Sequence, residues 1–384
     1  MKQVVTSEKI PIKLWLDDIE QGAMEQALNL AKLPFAFHHI AIMPDAHQGY
    51  GMPIGGVMAT VGAIVPNAVG VDIGCGMCAV RSSLDNYDTD RLKKVMGLIR
   101  ERIPAGFNHH NEKQEWEGFA EAPDVVIVRQ DIQSAQYQLG TLGGGNHFLE
   151  IQREDSGRVW MMIHSGSRNF GLKIAKAYHD TARKFCALWF SQIPDPELAF
   201  LPIETNEAKE YIAAMNFALR FARESRLRMM TMMMKSLSEV FVGTTYDEPI
   251  DVHHNYARFE NHFGKNVIVH RKGATSAREG ETGIIPGSQG TESHIVRGLG
   301  NTASFMSCSH GAGRRMGRKQ ACRELSLEGE IKRLDDAGVI HGIRVAKDLD
   351  EASGAYKDIW EVMANQDDLV ESITTLKPLA VVKA

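Results

Sequence analysis

The chain has 384 residues, of which 43% are hydrophobic and 24% are charged. This composition is ordinary for a globular protein and excludes intrinsic disorder, a collagen helix and a coiled-coil rod. The 43 Lys and Arg residues against 48 Asp and Glu residues give a formal net charge of −5, so a nucleic-acid partner would have to meet a local basic patch.

Targeting and redox features of the sequence favour the cytoplasm. No apolar run has the length of a membrane span, and the N-terminal residues MKQVVTSEKIPIKLW lack the pattern of a signal peptide. The five cysteines, an odd number spread over a long chain, do not resemble a disulfide framework. We therefore expect a reduced, cytoplasmic protein with no membrane partner.

The first third of the chain predicts two helices with strands between them. Asp17 is predicted to cap a helix that ends at Pro34, because apolar residues recur between them at helical spacing. The segment 42–80 is too rich in glycine for a helix and predicts short strands joined by tight loops. A second helix is predicted over 88–102, and 105–123 is predicted to be a surface loop.

The rest of the chain mixes strands and helices. Predicted strands are VVIV (125–128), HFLEIQ (147–152) and VWMMIH (159–164), and predicted helices cover 173–190, 204–241 (one helix or two) and 358–364. A methionine cluster within 204–241 indicates core packing rather than a binding surface; it comprises Met229, Met230, Met232, Met233 and Met234. Because strands and helices do not alternate regularly, the sequence predicts an α+β fold in a single domain, 1–384, with central β-sheets flanked by helices.

One candidate site lies in the glycine-rich turn GVDIGCGMC. Asp72 and Cys75 can direct a carboxylate and a thiolate at one ion. Cys75 and Cys78 also form a C-x-x-C pair, which could be redox-active or half of a zinc site. The flanking glycines provide no helix start for a thioredoxin-like motif, and no second Cys pair completes a zinc knuckle. By itself the turn leaves the kind of site open.

Three histidines extend this candidate site. His147, His164 and His254 each stand at the end of a β-like run, beside Gly, Ser or Asn. A single histidine is most often an ordinary core or surface imidazole, but three in the same setting favour convergence. Together with Cys75 and Asp72, they predict a mixed site for one or two divalent metals.

Small-residue turns offer donors for phosphate groups at 143–145, 286–293 and 307–314. The last turn places His310 before Arg314, whose guanidinium can bind phosphoryl oxygens bidentately, although it could equally be a simple loop. Basic residues interleave with these turns, which favours phosphate contacts over a solvated charged face; they are Arg271, Lys272, Arg278, Arg297, Arg314, Arg315, Arg318 and Lys319.

Taken together, these segments resemble the RtcB family of tRNA-splicing and RNA-repair ligases. The matching motifs are MPDAHQGYG (43–51), GVDIGCG (70–76), GGGNHFLE (143–150), HSGSR (164–168), HHNYA (253–257), HRKGATSA (270–277), PGSQGTES (286–293), SHGAGRRMGR (309–318) and LKPLAVVKA (376–384). The resemblance implies a GTP- and Mn(II)-dependent ligase that joins RNA 2′,3′-cyclic phosphate or 3′-phosphate ends to 5′-hydroxyl ends. It also implies a histidine-guanylate intermediate and an activated RNA-3′-pp-5′-G end.

The resemblance assigns roles to individual residues. The implied ligands of two Mn(II) ions are Asp72, Cys75, His147, His164 and His254, the implied guanylated nucleophile is His310, and Asp45 would orient it. The implied GTP or GMP contacts are Asn146, His147, Phe148, Leu149, Glu150, His254, Asn255, Pro286, Gly287, Ser288, Gln289, Ser293, His310, Gly311, Ala312, Gly313, Tyr356 and Lys383. RNA or phosphate contacts are expected at Arg168, Lys272, Arg314 and Arg318. Thiolate and imidazole donors alone would favour zinc, so manganese is implied only by the resemblance.

Two other functions fit part of the pattern. A metal-dependent phosphodiesterase or phosphatase acting on RNA ends would use the same ions but would need neither His310 nor Lys383. A non-catalytic RNA-binding protein would not require a buried thiolate beside imidazoles. We therefore expect the ligase, with an archease-like helper protein as a further implied partner, and the sequence leaves open which RNA it joins.

Overall fold

The computed structural model describes residues 1–383; Ala384, the last residue of the predicted domain, lies outside the described residues. In chain order the strands are β1 (Gln3–Val5), β2 (Ile12–Leu14), β3 (Ala36–Tyr50), β4 (Met52–Thr60), β5 (Ala63–Ile64), β6 (Gly76–Arg81), β7 (Phe148–Glu154), β8 (Val159–Ser165), β9 (Leu201–Pro202), β10 (Ile250–His253), β11 (Asn255–His262), β12 (Lys265–Lys272), β13 (Ala274–Ser276), β14 (Thr282–Ile285), β15 (Ser293–Gly298), β16 (Ser307–Ser309) and β17 (Val370–Val382). The α-helices are α1 (Gln21–Lys32), α2 (Thr89–Arg102), α3 (Val126–Gln138), α4 (Arg168–Leu188), α5 (Asn206–Val240), α6 (Arg318–Glu324), α7 (Leu327–Asp336) and α8 (Ile359–Ala364).

Two large sheets form the centre of the molecule. The seven-stranded sheet has the order β10-β6-β8-β7-β17-β15-β14 and is antiparallel throughout. The six-stranded sheet has the order β1-β2-β3-β4-β12-β11, and only β2 and β3 pair in parallel. Val57 and Val269 of the six-stranded sheet pack with Ile285 and Val296 of the seven-stranded sheet. The predicted α+β class with central sheets is confirmed.

Helices cover the outer faces of these sheets. On the six-stranded sheet, α1 buries Ala27 and Leu30. On the seven-stranded sheet, α2 and the second half of α5 pack around Met229, Met230 and Met233, so the methionine cluster is core packing, as predicted. Helices α3, α4 and the first half of α5 share a second layer of core. Among the described residues, no helix has the length and apolarity needed to cross a membrane.

The sequence misplaced several elements. The apolar run VVIV predicts a strand, but it begins α3, in which Val128, Asp131, Ala135 and Gln138 are buried at helical spacing; a run of four apolar residues cannot by itself distinguish the two structures. The N-cap position of the first helix is Glu20 and not Asp17, and its side chain makes no capping hydrogen bond. The segment 204–241 forms one helix, α5. Helix α6 was not predicted because it has only seven residues and follows a Gly-rich loop. Helix α7 was also missed, although Ser326 caps it and acidic residues occupy its first turn.

The basic residues 271, 278 and 297 do not form the predicted phosphate-binding patch. Arg271 is completely buried, and its guanidinium donates to both carboxylate oxygens of Glu260 (Nη1–Oε1 2.5 Å, Nη2–Oε2 3.2 Å). Arg278 also pairs with Glu260 at 2.8 Å, and Arg297 faces Glu371 on the neighbouring strand. Arg271 therefore stabilises the six-stranded sheet, because a buried guanidinium requires a carboxylate partner; the side chains of Arg278 and Arg297 stay about half exposed.

We expect Glu260→Gln to destabilise the protein by about 3–5 kcal/mol at pH 7, since it leaves a buried guanidinium without its counter-charge. Burial raises the pKa of Glu260, but the contacts of His262 and Arg271 outweigh it and lower the pKa to about 2. Its stabilisation is therefore complete above the unfolded pKa of roughly 4.3 and is lost as the pH falls towards 2. Between pH 5 and pH 3, the free energy of unfolding measured with urea should fall less in the Glu260→Gln variant than in the wild type.

A matched control is Glu239→Gln, which removes the exposed partner of Arg102. Because surface ion pairs contribute about 0–1 kcal/mol, its free energy of unfolding should stay close to that of the wild type. Equal stability of the two variants would contradict a structural role for the Glu260 pair.

Candidate functional site

The register of the seven-stranded sheet brings the predicted metal-binding residues together. Strands β10, β6, β8 and β7 are neighbours, and Gly76 pairs with both Ser165 and His253, while Phe148 pairs with His164. The same end of four adjacent strands therefore carries four donor residues: Cys75 before β6, His147 before β7, His164 near the end of β8, and His254 after β10. The chain crosses to the six-stranded sheet at His254, so the cluster lies where the two sheets meet.

The donor atoms converge on the thiol of Cys75. Its Sγ lies 3.3 Å from Nε2 of His147 and 3.2 Å from Nε2 of His164, which in turn lies 3.3 Å from Nε2 of His254. The carboxylate of Asp72 contacts Nε2 of His147 at 3.0 Å. Four of the five predicted ligands are buried, and Asp72 is partly exposed. One thiol, three imidazole nitrogens and one carboxylate form a donor set that suits a divalent metal.

Protonation and orientation of the imidazoles fit coordination. Burial, followed by the charges of His147 and His310, holds the pKa of His164 well below its ordinary value, and burial does the same for His254. Neutral imidazole is the form that binds metals. Nδ1 of His164 lies 3.0 Å from the carbonyl oxygen of Asn146, so it donates there and leaves Nε2 free to coordinate.

A glycine of the GGGN motif serves this arrangement sterically. A Cβ at position 143 would stand 2.0 Å from Nδ1 of His147. Only glycine therefore lets the imidazole lie against the backbone at this point. Packing against His147 therefore requires a glycine at position 143, in addition to the predicted approach of a phosphate to this turn.

A buried arginine of α5 fixes the backbone of the cluster. The guanidinium of Arg226, with no exposed surface, donates to both carboxylate oxygens of Asp251 at 2.7 and 2.8 Å. Its Nη1 also donates to the carbonyl oxygens of Gly74 and Ser165, both at 2.9 Å, and Nη2 lies 3.2 Å from Nδ1 of His253. Each of these last three residues is the chain neighbour of a predicted metal ligand, so one planar group holds three ligand-bearing segments in register.

The predicted nucleophile lies beside the metal-binding cluster. His310 follows β16, and its ring centre is 4.8 Å from that of His254. Its Nδ1 lies 2.6 Å from Oδ2 of Asp45 in β3, and its backbone N–H donates to the same oxygen at 3.1 Å. Burial raises the pKa of Asp45, but the attraction and hydrogen bond of His310 outweigh burial and leave the pKa below its usual value. Because Nδ1 donates its proton to the carboxylate of Asp45, Nε2 is the ring nitrogen that carries the free lone pair.

A cavity of about 1040 Å³ opens in front of this pair. Its wall includes four of the five predicted metal ligands, Asp72, Cys75, His164 and His254. Most of the predicted nucleotide contacts also line it, namely Asn146, Phe148, Glu150, His254, Asn255, Pro286, Gly287, Ser288, Gln289, His310, Gly311, Ala312, Gly313, Tyr356 and Lys383, together with Lys272, Arg314 and Arg318. The structure thus brings distant motifs to one cavity, and their individual binding roles stay predictions.

Four residues predicted to contact nucleotide or RNA do not line this cavity. One is His147 of the predicted metal-binding cluster, and the other three, Leu149, Ser293 and Arg168, lie behind the cavity wall. Leu149 is buried in the core beneath the seven-stranded sheet. The hydroxyl of Ser293 accepts hydrogen bonds from Gln152 Nε2 at 3.0 Å and from the backbone N–H of Gly287 at 3.2 Å, so it supports the turn that begins at Pro286. Arg168 donates from Nε to Thr141 Oγ1 at 3.0 Å and from Nη2 to the carbonyl oxygen of Gly106 at 2.5 Å.

Lys272 lines the cavity, but its ammonium group is already engaged. It donates to the carbonyl oxygens of Tyr50 at 2.6 Å and Asn67 at 3.0 Å. Burial lowers the pKa of Lys272 to about 7. Burial also raises the pKa of Glu150, on the same cavity wall, to about 8, so this carboxyl is largely protonated at neutral pH and can donate a hydrogen bond.

Glu351, which the sequence analysis missed, organises the basic wall of the cavity. Its buried carboxylate accepts from Arg314 Nη1 at 2.9 Å and from the hydroxyl of Tyr356, and it pairs with Arg318 Nε at 2.8 Å. Nζ of Lys383 lies 3.9 Å away. Three cations thus share one carboxylate, which leaves net positive charge facing the cavity.

Two further contributors also escaped the sequence analysis. Lys357 donates to the carbonyl oxygens of Pro44 at 3.1 Å and Ala46 at 2.7 Å, on either side of Asp45, which contacts the predicted nucleophile. Arg226 gave a usable signal, because it interrupts the apolar stripe of α5 between Ala222 and Met230. A charged residue at such a position indicates a buried ion pair.

Comparisons with known proteins identify the family of this chain. The family model described as "tRNA-splicing ligase RtcB" matches residues 26–132 and 112–384. The chain is 40% identical over 407 residues to the RNA-splicing ligase RtcB of Escherichia coli K12, with 99% of each chain covered. It is 31% identical over 461 residues to the tRNA-splicing ligase RtcB of Thermococcus kodakarensis, with 98% of this chain and 95% of that one covered. It is also 32% identical over 431 residues to the RNA-splicing ligase RtcB of Mycobacterium tuberculosis, with 93% and 100% covered. With matches over nearly its whole length, the chain belongs to the RtcB ligase family, as its motifs predict.

Proposed function

We propose that this protein is a GTP-dependent RNA ligase that joins 3′-phosphate or 2′,3′-cyclic phosphate ends to 5′-hydroxyl ends through a guanylated His310. The observation that carries the proposal is the pairing of His310 with the buried Asp45 (Nδ1–Oδ2 2.6 Å) at the edge of the cavity beside the metal-binding cluster. A hydrolase would not need a histidine held in this orientation, since water could serve as its nucleophile.

In the first step, Nε2 of His310 attacks the α-phosphorus of GTP. A P–N bond forms, the bond to the β-phosphate oxygen breaks, and pyrophosphate leaves. The Nδ1 proton stays on the hydrogen bond to Asp45, whose carboxylate stabilises the positive charge that develops on the ring. The attacking nitrogen keeps its lone pair before reaction because Asp45 fixes the tautomer.

The metal-binding residues for this chemistry would be Asp72, Cys75, His147, His164 and His254. When bound, a divalent metal neutralises phosphoryl oxygens and orients the in-line displacement. We propose Mn(II), in two ions, from the family resemblance; the carboxylate of Asp72 supplies the oxygen donor that this metal prefers. Neutral His164 and His254 leave their coordinating nitrogens available.

The basic and polar wall would hold the nucleotide. Arg314 and Arg318, anchored by Glu351, face the cavity as candidate partners for phosphate groups. Glu150 and Lys383 lie on the same wall and provide a donor and a cation for the base or the ribose. The turn at 286–289 adds backbone donors.

Two transfers complete the proposed reaction. Guanylate passes from His310 to the RNA 3′-phosphate, where a P–O bond forms as the P–N bond breaks. The RNA 5′-hydroxyl then attacks the activated 3′-phosphorus, and GMP and the hydroxyl proton are released. A cyclic phosphate end must first be opened by water. The proposal includes a cytoplasmic location, which suits five free cysteines, and an archease-like helper, which rests on the resemblance alone.

The test is incubation of the metal-loaded protein with GTP labelled at the α-phosphate, followed by denaturation. Acid-labile, base-stable label is expected on the wild type, and none is expected on His310→Ala or after removal of metal by a chelator. GTP labelled at the γ-phosphate should give no label, because pyrophosphate leaves. Absence of α-label with manganese or any other divalent ion would overturn the ligase proposal, and hydrolysis of a 2′,3′-cyclic phosphate RNA would then establish the phosphodiesterase.

A further inference from the structure

A second groove runs beside the cavity, between α6 and the segment 346–351. It has a volume of about 420 Å³ and is lined by Arg318, Lys319, Cys322, Arg323, Lys347 and Asp350. Four of these six side chains are cations and one is an acid. In a chain with a net charge of −5, such a concentration of positive charge marks a place where anions bind.

The groove is continuous with the cavity that contains His310. Arg318, Lys319 and Arg323 line both spaces. Arg318 marks the junction, because its Nε pairs with the buried Glu351 at 2.8 Å while half of its side chain stays exposed. A chain of phosphates whose end lies at His310 would therefore leave the cavity along α6.

Three of the four cations have no carboxylate partner. Among residues 1–383, Lys319, Arg323 and Lys347 take part in no ion pair, whereas neighbouring arginines do. Lys319 and Arg323 also stand four residues apart on the short helix α6, a spacing at which like charges destabilise a helix. The groove contains one acid, Asp350, whose pKa is raised by burial and then by the charge of Glu351.

We propose that this groove binds the phosphodiester backbone of the RNA strand next to the end that is being joined. The inference rests on the proposed RNA-ligase function and adds a path for the substrate to it. Unpaired ammonium and guanidinium groups suit phosphates at successive positions of a single strand. Aromatic side chains are absent from the described lining, so the groove reads the backbone and contributes no base specificity.

The test compares a triple variant, Lys319→Gln, Arg323→Gln and Lys347→Gln, with the wild type. The probes are two fluorescein-labelled single-stranded RNA oligonucleotides of one sequence, one with a 3′-phosphate and one with a 5′-hydroxyl as the free end. For at least one probe, anisotropy titrations should give a Kd about tenfold higher or more, and a salt slope shallower by about 2, since each lost phosphate contact removes about 0.7 from the slope. The probe that loses affinity identifies the strand in the groove.

A charge-matched control carries Lys176→Gln, Arg183→Gln and Lys235→Gln, which lie exposed on α4 and α5. It should bind both probes as the wild type does. Unchanged affinity and salt slope in the groove variant, or an equal loss in the control, would overturn the proposal. Guanylation of the wild type is measured alongside: a labelled wild type with an unaffected groove variant rejects only the groove, whereas an unlabelled wild type rejects the ligase.

Discussion

Replacing Asp45 by Asn is expected to slow the guanylation of His310 by about 10²–10⁴-fold, by analogy with the effect of the same change on the histidine of a serine-protease triad. Oδ2 of Asp45 accepts hydrogen bonds from both Nδ1 and the backbone N–H of His310. An Asn side chain keeps the volume but loses the negative charge. It can also turn its amide N–H towards Nδ1, which would move the ring proton to Nε2 and remove the nucleophilic lone pair.

Initial rates of label transfer from GTP at saturating metal measure this effect. The matched control is Asp368→Asn. In the wild type, the carboxylate of Asp368 accepts a hydrogen bond from Trp15 Nε1 at 2.9 Å, and this residue does not line the cavity. It should guanylate at the wild-type rate. Urea unfolding and metal binding of the Asp45 variant check that its fold and its ligand cluster persist. A rate within threefold of the wild type would mean that the aspartate only packs beneath the histidine.

The predicted metal-ligating histidines could be identified from the sequence, because the pattern that indicates them is local. Histidines at the ends of β-like runs, beside small residues, indicated His147, His164 and His254, and neighbouring strand ends place them together. The long helical pattern before 250 was equally readable, since it repeats over many turns.

The supporting interactions could not be predicted, because they depend on pairings between distant segments. Arg226 interrupts an apolar stripe, which could have indicated a buried ion pair, but its partners at 74, 165 and 251 follow only from the register of β6, β8 and β10. Glu351 gave no signal at all, since its role arises where α6, the 346–351 turn and the C-terminal strand meet. The prediction of a basic patch was wrong for Arg271 for the same reason, because composition does not show which arginine lies beneath a sheet, whereas Arg314, Arg318 and Lys319 do line the cavity.

Replacing Arg226 by Met is expected to lower the free energy of unfolding by about 3–5 kcal/mol, because it leaves the carboxylate of Asp251 buried without a partner. It should also weaken metal binding by about 10–100-fold, the usual effect of losing a group that orients metal ligands. Without the guanidinium, the carbonyl oxygens of Gly74 and Ser165 lose their donor. The segments that carry Cys75 and His164 are then free to shift, and a tetrahedral or octahedral donor set tolerates little displacement.

A double variant separates stability from positioning. Arg226→Met combined with Asp251→Leu removes both buried charges, so it should recover most of the lost stability, yet it still lacks the donor that aligns the ligand-bearing strands. Titration with Co(II), followed by the absorption of its thiolate bond, should therefore show weak binding in both variants. Arg226→Lys should fall between them and the wild type, since a single ammonium can pair with Asp251 but cannot span the carbonyl oxygens as well. If the double variant bound Co(II) as tightly as the wild type, the arginine would stabilise the fold without arranging the metal ligands.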